Sequence, residues 1–388
     1  MSIMDREQAV LDSGIPFPKS EYDRRQTEVL EAVERAELDA LLVTTHTHLQ
    51  YLTGYDGKGG YFRPFPLILV PGRTPTFVVR EFDEQSVHAY SCIEEIVPYT
   101  HQADFAKVCG EVLSRYGLQN KAIGFELGCW GLAPADLSAI ETQLPGIRIA
   151  DATRIVPSIS AVKGELELEA MRDSMTMTDR AIVTFQNSLK AGITEIEVAA
   201  AIRDEVERCG GEGVLLNSLN FGERTKLPHG EPRRHAIRKD EPATVEVGGI
   251  RKGYIAGVFR SAVLGRNAGT ESLHSLAEEV LETAIAAIKP GATAGEVNAA
   301  ARKLIDRDGR HRVLRSRIGY QTGINWSDRG ALSLEPDSSD VLKPGMTLHA
   351  LVILYSESGY MVGTSEQVLV TDLGADIMSG TPHTLFHA

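Results

Sequence analysis

Nowhere in the 388 residues does an apolar run approach the ~20 that a membrane-spanning helix needs, which excludes a helical membrane protein. The N-terminus, Met-Ser-Ile-Met-Asp-Arg-Glu, lacks the basic-then-apolar order of a secretory leader. Cysteine is sparse: Cys92, Cys109, Cys129 and Cys209 are scattered, and no two form a CxxC pair. That argues against a zinc ribbon or redox motif and for reduced thiols in a cytoplasmic protein. Positive charge is short, with 40 Lys and Arg against 53 Asp and Glu, a net charge of −13. Nucleic acid, whose phosphates demand a basic face, is therefore excluded as a partner. No Gly-x-Gly-x-x-Gly follows the first apolar strand, so a dinucleotide site has no support. The remaining composition, 43% hydrophobic and 24% charged, is that of a globular chain, and its length suggests two or three domains.

The first 150 residues read as an α/β layer. An amphipathic helix over 21–36 precedes the apolar strand Ala40-Leu41-Leu42-Val43-Thr44. Strands at 67–70, 76–79 and 122–125 and a helix over 105–116 follow, the pattern of a mixed sheet with helices on its faces. Residues 152–157 (ATRIVP) read as a linker, placing a domain boundary at 155/156. Beyond it, Met171, Met175, Thr178, Ile182, Phe185 and Leu189 recur at three- and four-residue spacing, one face of a long helix over about 165–190.

The second part repeats itself. Residues 192–210 (GITEIEVAAAIRDEVERCG) match residues 291–309 (GATAGEVNAAARKLIDRDG) at an offset of 99. Both copies carry Thr-x-x-Glu, at Thr194/Glu197 and Thr293/Glu296, the capping box that satisfies free N–H groups at a helix start. Both end at a glycine. Each copy is thus a long helix, a tight turn, a second helix and then strands, the strand candidates being 244–247, 254–263, 346–355 and 360–370. Two such units can combine their sheets into one curved sheet with helices outside, leaving a concave inner face for a site.

Two domains, the duplicated helical unit, Tyr51-Leu52-Thr53-Gly54 and Val341-Leu342-Lys343-Pro344-Gly345-Met346 together resemble the pita-bread family of prolidase, aminopeptidase P, methionine aminopeptidase, creatinase and ectoine hydrolase. The resemblance runs from about residue 17 to the end. It implies an α/β fold: an N-terminal mixed-sheet creatinase-type domain (1–155) and a C-terminal pita-bread domain (156–388) of helix-helix-strand units around a curved antiparallel sheet.

The family's metallopeptidases hold two divalent ions with two Asp, one His and two Glu, types that bridge hard cations. By the resemblance, those positions fall here on Glu246, Gly257, Tyr320, the Leu351 region and Glu366. Two carboxylates and no histidine leave a dinuclear site unsupported, so the expectation is no metal and no cofactor. An Xaa-Pro metallopeptidase is disfavoured accordingly. The matches 319–324 (GYQTGI), 331–336 (ALSLEP), 345–349 (GMTLH) and 382–386 (PHTLF) look like the ectoine hydrolase pattern, whereas 61–64 (YFRP) looks like creatinase. The expected activity is metal-independent cleavage of an amidine-type C–N bond in a small zwitterion. The alternatives are a creatinase-like amidinohydrolase and a catalytically inactive binding protein.

Three residues are expected to act on the substrate. His229, in Leu227-Pro228-His229-Gly230, matches the family's catalytic histidine, and an imidazole titrates where proton transfer is needed. Glu246 alternates with Val245 and Val247 and so points away from both. It either holds a cationic substrate by charge-assisted hydrogen bonds or attacks carbon. Glu366 is the expected second carboxylate, the two being unpaired and attracting a cation. Substrate contacts are expected from Phe62, Arg63, Tyr320, Arg329 and His349. The creatinase likeness implies that Arg63 clamps a substrate carboxylate from the neighbouring subunit of a homodimer, with Arg329 a second candidate for that role.

Overall fold

A computed structural model describes residues 14–57, 65–101, 104–308, 314, 317–326 and 330–388. The chain forms two compact units, 1–160 with 328–331, and 161–327 with 332–388.

The first unit is a six-stranded mixed sheet with helices. In chain order it comprises α1 (Lys19–Arg35), β1 (Ala40–Val43), α2 (His46–Thr53), β2 (Leu67–Leu69), β3 (Thr76–Arg80), α3 (Glu84–Tyr90), β4 (Glu95–Tyr99), α4 (Phe105–Arg115), β5 (Ala122–Phe125), α5 (Pro134–Gln143) and β6 (Arg148–Asp151). The strand order is β4-β3-β2-β1-β5-β6. β2 runs antiparallel to both β1 and β3, and the other pairs are parallel. Leu42, Ile68, Val78 and Phe125 from the strands meet Phe105 and Leu113 of α4 in one apolar core. The expected linker is instead a short helix, α6 (Ile155–Ser160), packed on α1 and α2. Val156 and Pro157 are buried by that packing, so the division falls at 160/161 rather than 155/156.

The second unit shows the duplication in three dimensions. α7 (Glu165–Ser188) and α8 (Glu195–Arg208) precede the strands β7 (Gly213–Phe221), β8 (Pro242–Arg251) and β9 (Tyr254–Val263). α9 (Ala268–Ala287) and α10 (Ala294–Asp308) precede β10 (Gly319–Gln321), β11 (Thr347–Tyr355), β12 (Met361–Thr371) and β13 (Gly374–Ile377), and β14 (Phe386–His387) closes the chain. Both capping boxes form. Glu197 accepts from Thr194 N–H at 2.9 Å, and Glu296 accepts from Thr293 N–H at 2.7 Å. The likeness extends past the helices: Gly192 N–H donates to Ile237 O, and Gly291 N–H to Leu342 O, each at 3.0 Å. Each copy thereby lays its turn against the segment leading into its own hairpin.

The strands form two four-stranded sheets, β14-β9-β8-β7 and β10-β11-β12-β13. Serines lace the two together along β9 and β12. Ser261 Oγ donates to Gly363 O (2.7 Å) and accepts from Gly363 N–H (3.1 Å), while Phe259 N–H donates to Ser365 Oγ (2.6 Å). α7 covers β8 and β9, and α9 covers β11 and β12, so each sheet has a helix-covered face and an opposite, inner face.

Candidate active site

Strand alternation decides which side chains share the inner face. Glu246 pairs with Phe259 across β8 and β9, and Leu351 pairs with Ser365 across β11 and β12. Phe259 and Leu351 pack together with Ile255, Tyr320, Trp326 and Met361. Glu246, Phe259, Leu351 and Ser365 therefore share one face. Their chain neighbours turn the other way: Val245 and Val247 are fully buried opposite Glu246, and Ala350 joins the core formed with α9 and α10.

Glu246 is 4% exposed. Its Oε2 accepts from Asn217 Nδ2 at 2.7 Å, and no described residue donates to its Oε1. Asn217 reaches it because the register of β7 slips between Leu216 and Ser218, a bulge that re-aims one side chain. Burial pushes the Glu246 carboxyl up to about 7, only partly opposed by the Asn217 hydrogen bond. A carboxyl held there can ionise against a bound cation at neutral pH.

Glu366 does not join it. Its pair on β11 is Ala350, so it faces the helix layer. There it accepts from Arg260 Nη2 at 3.2 Å, from the Ser379 hydroxyl and from His383 Nδ1 at 3.0 Å. Arg260 follows Phe259 and so lies on the helix side as well. The expected pair of unpaired carboxylates facing a substrate is corrected by this register: Glu366 is paired and turned away, and the inward residue beside it is Ser365.

Tyr320 and His349 do reach the inner face. The Trp326 indole N–H donates to the Tyr320 oxygen. Tyr320 then bonds His349 Nδ1 at 3.1 Å, and His349 Nε2 bonds Ser365 Oγ at 2.7 Å. Burial lowers His349 to about 3, so the ring is neutral. Trp326 is an obligate donor, so the Tyr320 oxygen accepts at that end of the chain. The Arg317 guanidinium stacks on the Tyr320 ring at 4.2 Å.

His229 is exposed, carries a left-handed backbone (φ 54°) and has no polar partner among the described residues. Its neighbour Gly230 accepts from Leu219 N–H at 3.2 Å. A Cβ on Gly230 would lie 2.2 Å from Asn220 Oδ1, so the loop presses on β7. Asn220 pairs with Thr244, two residues from Glu246 on the same face, which sets His229 at the rim of that face. Phe62, Arg63 and Arg329 lie outside the described residues.

The positions that the resemblance assigns to two metal ions do not offer their ligands. Where a second aspartate would stand, a Cβ on Gly257 would lie 2.0 Å from Trp326 Cη2, so the indole fills that space. Tyr320 is committed to His349, Leu351 is apolar, and Glu366 faces away. Among the described residues no group of three or more His, Cys, Asp or Glu could hold an ion.

Asn217, Arg317 and Trp326 went unnoticed in the sequence. The only signal for Trp326 was rarity, since the chain has two tryptophans. No described helix is long and apolar enough to cross a membrane.

Residues 169–372 match the metallopeptidase family M24, and residues 25–162 match the creatinase/prolidase N-terminal domain. The chain belongs to the M24 family, whose members are hydrolases. It is 29% identical to an uncharacterised hydrolase/peptidase of Sinorhizobium fredii, over 95% of this chain and 97% of that one. It is 24% identical to the ectoine hydrolase of Halomonas elongata, over 97% and 100%. Among solved structures, a dipeptidase from Mycobacterium ulcerans superposes with a TM-score of 0.86 at 22% identity, covering 96% of this chain and 99% of that one. The prolidase from Pyrococcus horikoshii gives 0.80 at 18% identity, covering 93% and 99%. These structural likenesses share the two-part fold described above.

Proposed function

We propose that the chain is a metal-independent hydrolase that opens an amidine-type C–N bond in a small zwitterion, with ectoine the leading candidate. The observation that carries this reading is the inner face itself. It presents one buried carboxylate with an uncommitted oxygen, Glu246, beside an indole that fills the space a second metal-binding carboxylate would need. The likeness to an ectoine hydrolase along nearly the whole chain supports it.

In this reading the amidinium of the substrate donates to Glu246, whose ionised form it stabilises. His229, uncommitted at the rim, takes a proton from water. The water oxygen bonds to the amidine carbon, the ring C–N bond breaks as the departing nitrogen receives that proton, and the proton left on the new hydroxyl passes to the freed amine, giving an amide and an ammonium. In the covalent variant Glu246 attacks the carbon first and the ring nitrogen departs as the amine with a proton from His229; water then cleaves the new C–O bond, releasing the amide and the carboxylate. The substrate carboxylate meets a guanidinium: Arg317 beside Tyr320, or Arg63 supplied by the partner subunit of a homodimer. Four cysteines outside any disulfide fit a cytoplasmic enzyme.

The test is a mass-spectrometric screen of the purified protein against ectoine, hydroxyectoine, creatine and Xaa-Pro dipeptides, with and without EDTA, alongside elemental analysis. Ring opening of ectoine that survives EDTA is expected. Xaa-Pro cleavage that EDTA abolishes, with two Mn, Co or Zn ions per chain, overturns the reading.

A further inference from the structure

We infer that Trp326 is a specificity-determining residue of this site: its indole forms a floor beside Glu246 that selects a planar, delocalised cation over a tetrahedral ammonium. This deepens the function proposed above and rests on it for the location of the site.

Gly248 and Gly257 stand opposite each other on β8 and β9. With no side chain at either, the sheet surface carries a slot, and the indole lies in it. A Cβ added at Gly257 would fall 2.0 Å from Trp326 Cη2, and one at Gly248 would fall 2.7 Å from Cζ3. Two residues along each strand, on the same face, come Glu246 and its pair Phe259. Strand geometry sets that step at about 7 Å, so the carboxylate borders the indole. The ring cannot swing freely. Its N–H is tied to Tyr320, and its edge meets the His349 ring at 5.4 Å between centroids with planes at 85°. Toward Glu246 the neighbouring side chain is apolar: Phe259 is fully buried, while Trp326 keeps 8% of its surface exposed.

A cation lying on such a floor gains from the indole face within about 6 Å of its centroid. Its in-plane N–H groups can meet Glu246 Oε1, the oxygen that Asn217 leaves uncommitted. An amidinium or guanidinium is flat and weakly hydrated, so it does both at once. An ammonium is compact and strongly hydrated and cannot give up its water to an apolar ring as readily. The indole therefore occupies the space of a metal-binding side chain and supplies in its place a surface for an organic cation.

The chain has two tryptophans, and the other, Trp130, is 86% exposed. A Trp130→Phe protein is thus a single-tryptophan reporter of this floor. Acetamidinium should change its emission saturably, and methylammonium should bind about tenfold more weakly or less. The response to acetamidinium should strengthen as pH rises through 7 and vanish in Glu246→Gln. Calorimetry of Trp326→Phe, which keeps a ring, should retain the preference, and Trp326→Leu should lose it. The melting transition of each variant verifies the fold. Equal affinity for the two cations, or an unchanged preference in Trp326→Leu, overturns the inference. Acetamidinium selectivity that depends on Trp326, without turnover of ectoine, upholds the role of Trp326 and sinks only the substrate proposed above.

Discussion

Glu246 and Glu366 are the same residue type, both mid-strand in the second unit and both nearly inaccessible, at 4% and 1% exposure. Their surroundings are opposite. Glu366 is met by a guanidinium, a hydroxyl and an imidazole on the helix side of the sheet. Glu246 has one amide donor on the inner side, and its carboxyl sits at about 7. Burial alone does not make a reactive carboxylate. What separates the two is how many of their lone pairs the protein has already satisfied: Glu366 ties the C-terminal segment to β9, and Glu246 is left short of a partner that a substrate can supply.

The largest expected effect is structural. Glu366→Ala strands the Arg260 guanidinium, itself 1% exposed, without its carboxylate. Removing one member of a buried pair costs about 3–5 kcal/mol, which denaturant unfolding would read directly. The protein that remains folded should keep its turnover per molecule. A Glu366→Ala protein of normal stability and no activity would reverse the assignment of roles.

Glu246→Gln should do the converse. Turnover should fall about 10²-fold or more, because both the charge and the nucleophile are lost. Stability should rise. The folded-state value of about 7 lies above the ordinary 4.5, so the fold favours the protonated acid. That contribution is fully present below pH 4.5 and is lost as pH rises through 7. The glutamine escapes the loss, and the gain should approach about 3 kcal/mol at pH 8 and vanish near pH 4.5. A variant equally stable at both pH values would mean that Glu246 is not desolvated.

The duplication was legible because capping is local chemistry: Thr194 with Glu197 and Thr293 with Glu296 announce helix starts within four residues. The direction of Glu246 was legible from its flanking valines. The direction of Glu366 was not, because Thr364, Ser365, Glu366 and Gln367 are four successive polar residues with no alternation to read. Only the pairing of Ala350 with Glu366 and Leu351 with Ser365 orients them, and a slip of one residue reverses the face. Trp326 was illegible for a different reason. It lies outside the strands, and its place depends on two glycines nearly 70 and 80 residues earlier that happen to oppose each other. The segment read as a linker became α6 because its apolar side chains found α1 and α2, a tertiary effect that local composition does not show.

Asn217→Ala sharpens the contrast at an intermediate size. Its hydrogen bond favours the ionised form of Glu246, so removing it should push that carboxyl further above 7. A single charge-assisted hydrogen bond of this kind supports roughly a tenfold loss of kcat/KM at pH 7. The loss should shrink as pH rises and the carboxylate ionises. A loss independent of pH would make Asn217 a substrate contact in its own right rather than the residue that sets the state of Glu246.

The smallest effect should come from the other carboxylate's imidazole. The hydrogen bond that His383 donates to Glu366 holds it above its ordinary 6.5, with burial opposing it. A histidine raised in the fold contributes stability that is fully present below pH 6.5 and is lost as pH rises through its folded value. His383 is only half-buried, so solvent screening keeps the contribution small. His383→Gln should therefore lower the melting temperature by about 1–2 °C at pH 6 and leave it unchanged at pH 9. Turnover should not move at either pH, because the histidine lies with Glu366 on the helix side of the sheet. If His383→Gln shifts the pH–rate profile instead, the two carboxylates communicate through the sheet, and the division between an anchoring face and a reactive face fails.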